Sequence, residues 1–172
     1  RAGIAHVDSA SRFRDLGVDV FLGDGQFIDS DTVQVGETTL KFKKAVIATG
    51  ARPFVPPIEG LEEAGYLTYE SLFETDTLPD RVTVLGAGPI GLEMAQVLSR
   101  LGAEVTVVEM QDRILPNDDP DVAERLKALL EAEGLHFRLG ARATAVRAEE
   151  GTKVVEVEGG TPIRGDEILV AV

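Results

Sequence analysis

The chemistry available to this chain is concentrated in Gly86-Ala87-Gly88-Pro89-Ile90-Gly91. In such a loop the first glycine allows a tight turn. The second, Gly88, lets a pyrophosphate approach the backbone, and the third, Gly91, lets a helix pack closely on a strand. A helix opening at this point adds unpaired N–H groups and the positive end of its dipole. Glu109 follows Gly91 by 18 residues. A carboxylate at that distance accepts hydrogen bonds from ribose hydroxyls and repels a 2′-phosphate, which favours NAD over NADP. Arg113 is close enough to weaken that preference, or to serve only as a surface partner of Asp112 or Glu109. The plain alternative for the motif is a glycine-rich packing turn. Thiol chemistry is closed, because the chain has no cysteine to act as nucleophile, metal ligand or disulfide.

The flanking sequence supplies the elements such a loop requires. Val82, Val84 and Leu85 form a short apolar run suited to a strand buried on both faces. After the glycines, Ile90, Met94, Val97, Leu98 and Leu101 recur at helical spacing up to Gly102, a helix stop. Val105, Val107 and Val108 make the next strand, ending at Glu109. Asp119 then caps a second helix with Pro120 at its first position, a stripe of Val122, Leu126, Leu129 and Leu130, and Gly134 as its stop. The expectation is four parallel strands near 82–85, 105–109, 135–139 and 168–172. Helices 89–101 and 120–133 should share one face, since such crossovers are right-handed. A meander of strands at 142–148, 153–158 and 161–164 should cover the other.

Composition bounds the rest. The 172 residues carry 30 acids and 17 bases, a net charge of −13 that argues against a nucleic-acid surface. No apolar stretch approaches the roughly 20 residues of a membrane span. The chain begins at Arg1 and shows no signal-peptide pattern, so a cytoplasmic setting is expected. Residues 1–52 hold seven bases and seven acids, so residues 53–172 carry the whole negative charge. The step falls at Pro53, Pro56 and Pro57. Residues 53–80, acid-rich and bounded by prolines, read as a connector between units 1–52 and 81–172. The alternative is one domain with an acidic surface loop.

A repeat suggests duplication. Residues 15–23 resemble 132–140, with Gly17 on Gly134, Leu22 on Leu139 and Gly23 on Gly140 at an offset of 117. After each comes a meander, at 25–28, 31–35 and 38–42 in the first copy. Each copy should close on an apolar strand, Ala45–Ala48 or Ile168–Ala171. Residues 15–50 should therefore superpose on 132–172 over the shared strands. The first copy lacks room for a glycine loop of its own, which places the missing half upstream of Arg1.

These features together resemble the FAD-dependent pyridine nucleotide–disulfide oxidoreductases. Ile47-Ala48-Thr49-Gly50-Ala51-Arg52-Pro53 would close a first dinucleotide domain and Gly86–Glu93 would open a second. Leu115-Pro116 ahead of an acid-rich helix start is most similar to the dihydrolipoamide dehydrogenase and mercuric reductase branch. The resemblance implies an α/β protein: a Rossmann-like NAD-binding domain preceded by the C-terminal part of a homologous FAD-binding domain. It implies that Gly86, Ala87, Gly88, Pro89, Ile90 and Gly91 hold the NAD pyrophosphate and Glu109 the ribose. Ala143 would make a backbone contact to adenine. Glu93 would lie near the nicotinamide, paired with a lysine of the FAD domain, unless it is an ordinary surface charge; Leu92 and Met94 beside it suggest a covered helix. Gly25, Thr49, Gly50 and Ala51 would contact FAD in the full-length parent. His6 and His136 match no catalytic position. The family's redox cysteines and catalytic histidine would lie outside this chain, in the upstream half and in a downstream dimerisation domain of a homodimer. This chain alone would then be inactive. A non-catalytic NAD-binding redox sensor, or a soluble transhydrogenase or NADH oxidase of the same superfamily, are the alternatives.

Overall fold

The computed structural model describes residues 9–172, which divide into two compact units, residues 9–51 and Arg52–Val172. His6 lies outside the described residues. The first unit has a short helix, α1 (Ala10–Asp15), capped by the Ser9 hydroxyl, which accepts from the Arg12 N–H. It continues into three antiparallel strands in the order β1-β2-β3: Gly25–Asp29, Thr32–Val35 and Thr38–Lys41.

The second unit is built on a parallel sheet. After α2 (Leu61–Ala64) come β4 (Leu67–Thr68), β5 (Arg81–Leu85), α3 (Pro89–Arg100), β6 (Glu104–Val108), α4 (Pro120–Ala132) and β7 (His136–Arg138). An antiparallel meander follows, β8 (Ala143–Glu149), β9 (Thr152–Val157) and β10 (Ile163–Gly165), and then β11 (Glu167–Val170). The sheet order is β4-β11-β5-β6-β7, all parallel. Period-two alternation sorts its side chains into two cores. Val82, Val84, Val105, Val107 and Leu169 face α3 and α4, meeting Leu92, Ala95, Leu98, Ala123 and Leu130. Leu85, Val108, Ile168 and Val170 face the meander, meeting Val146, Val155 and Ile163. Both helices thus lie on one face and the meander on the other, as the handedness rule requires.

Three expectations need correction. The sheet has five strands rather than four, because β4 pairs with the outer edge of β11 through Leu67–Leu169 and Thr68–Val170. Much of the supposed connector 53–80 is therefore built into the second unit. Leu61 is 1% exposed, and Val55, Ile58, Ala64 and Tyr66 pack on the same core. Lys153 fastens it further, donating to the Gly65 carbonyl at 2.9 Å and pairing with Glu167. Residues 45–48 form no strand; Val46 is 91% and Ile47 73% exposed. A parallel strand needs neighbours in its sheet, and the described part of the first unit supplies only the meander.

The helix stripes are right in part: Met94, Leu98, Leu126 and Leu130 meet the helix-side core as expected, but the rest of each face is rotated from its sequence reading. On α3 the buried positions are Gly91, Leu92, Ala95 and Leu98, while Ile90, Val97 and Leu101 are exposed. On α4 they are Ala123 and Leu130, with Val122 and Leu129 exposed. Small residues let the helices sit close to the sheet, and a scan for large apolar side chains overlooks them.

The repeat survives in part. Gly17 (φ 83°) and Gly134 (φ 99°) each end a helix, and the residue after each donates five residues back, Val18 to Phe13 and Leu135 to Leu130. This is the same C-cap in both copies, and a three-stranded antiparallel meander follows each. The strands that should flank the first meander are absent among the described residues.

A salt bridge closes the β10–β11 turn onto β5. Asp166 accepts from the Arg81 guanidinium at 2.6 Å and the Arg81 N–H at 2.9 Å. The Arg81 hydrogen bond holds the Asp166 carboxyl below its ordinary range. Nearby, Thr83 Oγ1 is buried without a hydrogen-bond partner among the described residues. Thr83→Val keeps the shape and removes that unpaired hydroxyl, so it is expected to stabilise the protein by about 1 kcal/mol. A higher denaturant midpoint at unchanged m-value is the expected result; a lower midpoint would mean that the hydroxyl has a partner.

Candidate functional site

The glycine loop leaves β5 at the C-terminal end of the parallel sheet, where open α/β sheets bind ligands. A cleft of about 810 Å³ opens there, lined by Gly86, Gly88, Pro89, Glu109 and Ala143 among others. The structure therefore brings five of the nine expected nucleotide-site residues to one cavity. Ala87 is buried behind the loop, and Ile90 and Gly91 lie in the first turn of α3. Glu93 is exposed on α3, so the expected covering of that side chain is not made among the described residues. The turn is held at its two ends. Gly86 N–H donates to Val108 at 2.9 Å, Ala171 N–H to Leu85 at 2.8 Å and Leu92 N–H to Gly88 at 3.0 Å.

The three glycines have different physical causes. Gly86 has φ 107°, and a Cβ there would stand 2.5 Å from the Ala171 carbonyl oxygen. At Gly91 a Cβ would stand 2.3 Å from the Gly86 carbonyl oxygen. The protein's own backbone requires both. Gly88 is different: its φ is −74°, and a Cβ would meet nothing within 4 Å. Nothing inside the fold demands glycine at the N-cap of α3, a position where a side-chain oxygen ordinarily stabilises the helix. The vacant space lies before a helix with no acid in its first turn and no side-chain cap. The N–H groups of Gly88, Ile90 and Gly91 have no partner among the described residues. That is a cradle for an oxyanion.

Glu109 closes the other side. Its Oε2 accepts the Ala87 N–H at 2.9 Å and its Oε1 the Gln111 N–H at 2.8 Å. Its own backbone is fixed to β7 and beyond, donating to Arg138 and accepting from Ala141 at 2.9 Å each. A carboxylate has about four acceptor positions, so each oxygen keeps one for a ligand hydroxyl. Arg113 makes neither of its expected contacts. Its guanidinium donates to the carbonyls of Pro116 and Asp118.

Sequence reasoning missed two walls of the cleft. One is Phe54, Pro56, Pro57 and Ile58; the other is Leu115 to Asp118. Pro56 and Pro57 marked only a boundary in the sequence, and Leu115-Pro116 only a branch of a family. A second hollow of about 600 Å³ lies along the edge strand β7, lined by Glu104, Glu131, His136 and Arg138. It shares no residue with the cleft, and His136 sits there as an exposed strand residue.

In the first unit, Gly25 begins β1, while Thr49, Gly50 and Ala51 lie in irregular, exposed chain. Gly50 has φ 71°, which by itself favours glycine.

Residues 6–172 match the family described as pyridine nucleotide-disulphide oxidoreductase. The chain is 37% identical over 158 residues to a mercuric reductase of Lysinibacillus sphaericus, covering 89% of this chain and 29% of that protein. It is 33% identical over 171 residues to dihydrolipoyl dehydrogenase 3 of Haloarcula marismortui, covering 91% and 36%. Among solved structures it resembles the HOCl-induced flavoprotein disulfide reductase RclA from Escherichia coli, with a TM-score of 0.78 and 27% identity, covering 99% of this chain and 40% of that one. The chain spans about a third of the length of these relatives. Among the described residues no helix is long and apolar enough to cross a membrane.

Proposed function

The chain belongs to the pyridine nucleotide-disulphide oxidoreductase family, and on that premise we propose that its second unit binds NAD(H) through Gly86–Gly91 and Glu109. It would do so within a flavoprotein that passes hydride from the nicotinamide to FAD, and electrons onward to a disulfide, thiol-bound metal or similar acceptor. The observation that carries this reading is Gly88, a glycine that no part of the fold requires, facing open space at an uncapped helix N-terminus. When bound, the nicotinamide supplies the hydride chemistry. The residues of this chain bind and orient. Gly88, Ile90 and Gly91 donate N–H groups to the pyrophosphate. Glu109 accepts from the ribose hydroxyls, and Ala143 lines the adenine side. The Arg113 guanidinium is engaged by loop carbonyls; the charged residues lining the cleft are Glu109, Asp118 and Arg142, and Arg142 is paired with Glu158, a balance that favours NAD over NADP. Gly25 and Thr49–Ala51 contact FAD in the full-length parent, a homodimer. Glu93, exposed on α3, is available to a lysine of the FAD domain.

Calorimetric titration with NADH and NADPH tests the reading. NADH is expected to bind this chain with an affinity in the high-micromolar to millimolar range, about −4 to −6 kcal/mol, because the contacts proposed here reach only the adenosine and pyrophosphate parts of the nucleotide. Glu109→Arg should weaken NADH and improve NADPH by about 1–3 kcal/mol, since a repulsion is removed and a charge-assisted bond added. The NADH loss includes the acceptor for the Ala87 N–H. An unchanged ratio of the two affinities would remove Glu109 as the ribose ligand, and the NAD assignment with it.

A further inference from the structure

A trans peptide sets its C=O and N–H antiparallel. Whatever fixes the Ala87 carbonyl therefore also aims the Gly88 N–H. That carbonyl accepts the Leu115 N–H at 3.0 Å. Leu115 presents this donor at φ 46°, one of two non-glycine residues with positive φ among the described residues. Such a conformation persists only where neighbouring structure enforces it. Here the enforcement is visible. The Arg113 guanidinium donates to the Pro116 carbonyl and, at 3.1 Å, to the Asp118 carbonyl, while the Asp118 N–H donates to Leu115 at 3.0 Å. Ile114 between them is buried in the helix-side core. Leu115 to Asp118 line the cleft, whereas Arg113 does not. We infer that Arg113 is a positioning residue for the pyrophosphate: by holding the 113–118 turn it seats Leu115 on the Ala87 carbonyl and thereby points the Gly88 N–H into the cleft.

The inference rests on the NAD-binding reading for its ligand, but its geometry is measurable without one. The 172-residue chain, Arg113→Ala and Arg113→Lys would be compared by NADH titration and by the Gly88 and Leu115 amide resonances in the ligand-free state. Arg113→Ala is expected to shift both resonances and to weaken NADH about 10-fold, the loss of one well-aimed hydrogen bond to a charged oxygen. Lysine is one point donor without the planar fork, so Arg113→Lys should recover only part of the affinity. Added guanidinium ion should restore binding to Arg113→Ala, and not raise that of the unsubstituted chain. A general loss of structure would instead move resonances throughout the unit. Unmoved Gly88 and Leu115 resonances, or equal NADH affinity in a chain that binds NADH, would overturn the positioning role. Should Arg113→Ala fail to fold, the same two readings on Arg113→Lys decide. If the unsubstituted chain fails to bind NADH, the NAD reading falls, while the ligand-free resonances still decide whether Arg113 aims Gly88.

Discussion

Gly88→Ser is expected to keep or raise stability while weakening NADH binding by well over 10-fold, and Gly91→Ala to cost about 3 kcal/mol of stability or more. The contrast follows from what each new Cβ would meet. At position 88 there is open space and an ordinary φ. A serine hydroxyl there can accept from the N–H of Ile90 or Gly91, the usual N-cap bond, which contributes a few tenths of a kcal/mol relative to glycine. The same hydroxyl consumes a donor that the ligand needs, and its Cβ occupies the approach to the loop. At position 91 the Cβ would stand 2.3 Å from the Gly86 carbonyl oxygen and 3.4 Å from the Ala171 Cβ, so α3 must move off β5. Denaturant midpoints and NADH titrations of both variants separate the effects. A Gly88→Ser chain that bound NADH as well as the unsubstituted protein would mean that this glycine serves no ligand. A Gly91→Ala chain of unchanged midpoint would mean that the helix can retreat without cost.

What was legible in the sequence was local. The glycine loop, its flanking strands and Glu109 lie within one short run, and each imposes a specific pattern on its neighbours. The meander was legible for the same reason, since period-two alternation and turn residues repeat every few positions. The helix faces were harder to phase. Large apolar residues such as Ile90, Val97 and Leu101 attracted the assignment, while the contacts are made by Gly91, Leu92 and Ala95. The pairing of β4 was invisible, because a strand of two residues, Leu67–Thr68, has no periodicity and is defined only by the free edge of β11. The bonds that hold Ala87 were invisible too. Glu109 and Leu115 reach it across 22 and 28 positions of chain, and only the folded turn brings them together. The strand expected at 45–48 failed in the opposite way: its apolar residues are strand-like, but a strand is a relation between segments, and the described first unit offers no partner.

Gly60→Ala is expected to destabilise the second unit by about 3 kcal/mol or more, although it lies in a segment that reads from sequence as a connector. Gly60 has φ 73°, and a Cβ there would stand 2.1 Å from the Val146 carbonyl oxygen and 3.3 Å from the Val146 carbonyl carbon. Neither side can yield freely. The Val146 N–H donates to Glu59 at 2.7 Å, and Gly60 begins α2 by accepting the Ala64 N–H at 3.0 Å. Leu61, the next residue, is buried in the meander-side core. Gly159→Ala is the control without a clash. It also has a positive φ, 63°, but a Cβ there would meet nothing within 4 Å, so it should carry only the conformational penalty of about 1 kcal/mol. The difference between the two midpoints isolates the backbone clash with β8. The loss at Gly60 should also reach the ligand, because Phe54, Pro56, Pro57 and Ile58 form one wall of the cleft just ahead of it. Weaker NADH binding in Gly60→Ala than in Gly159→Ala, under conditions where both remain folded, is the expected result. Equal midpoints for the two variants would return residues 53–80 to the status of a linker.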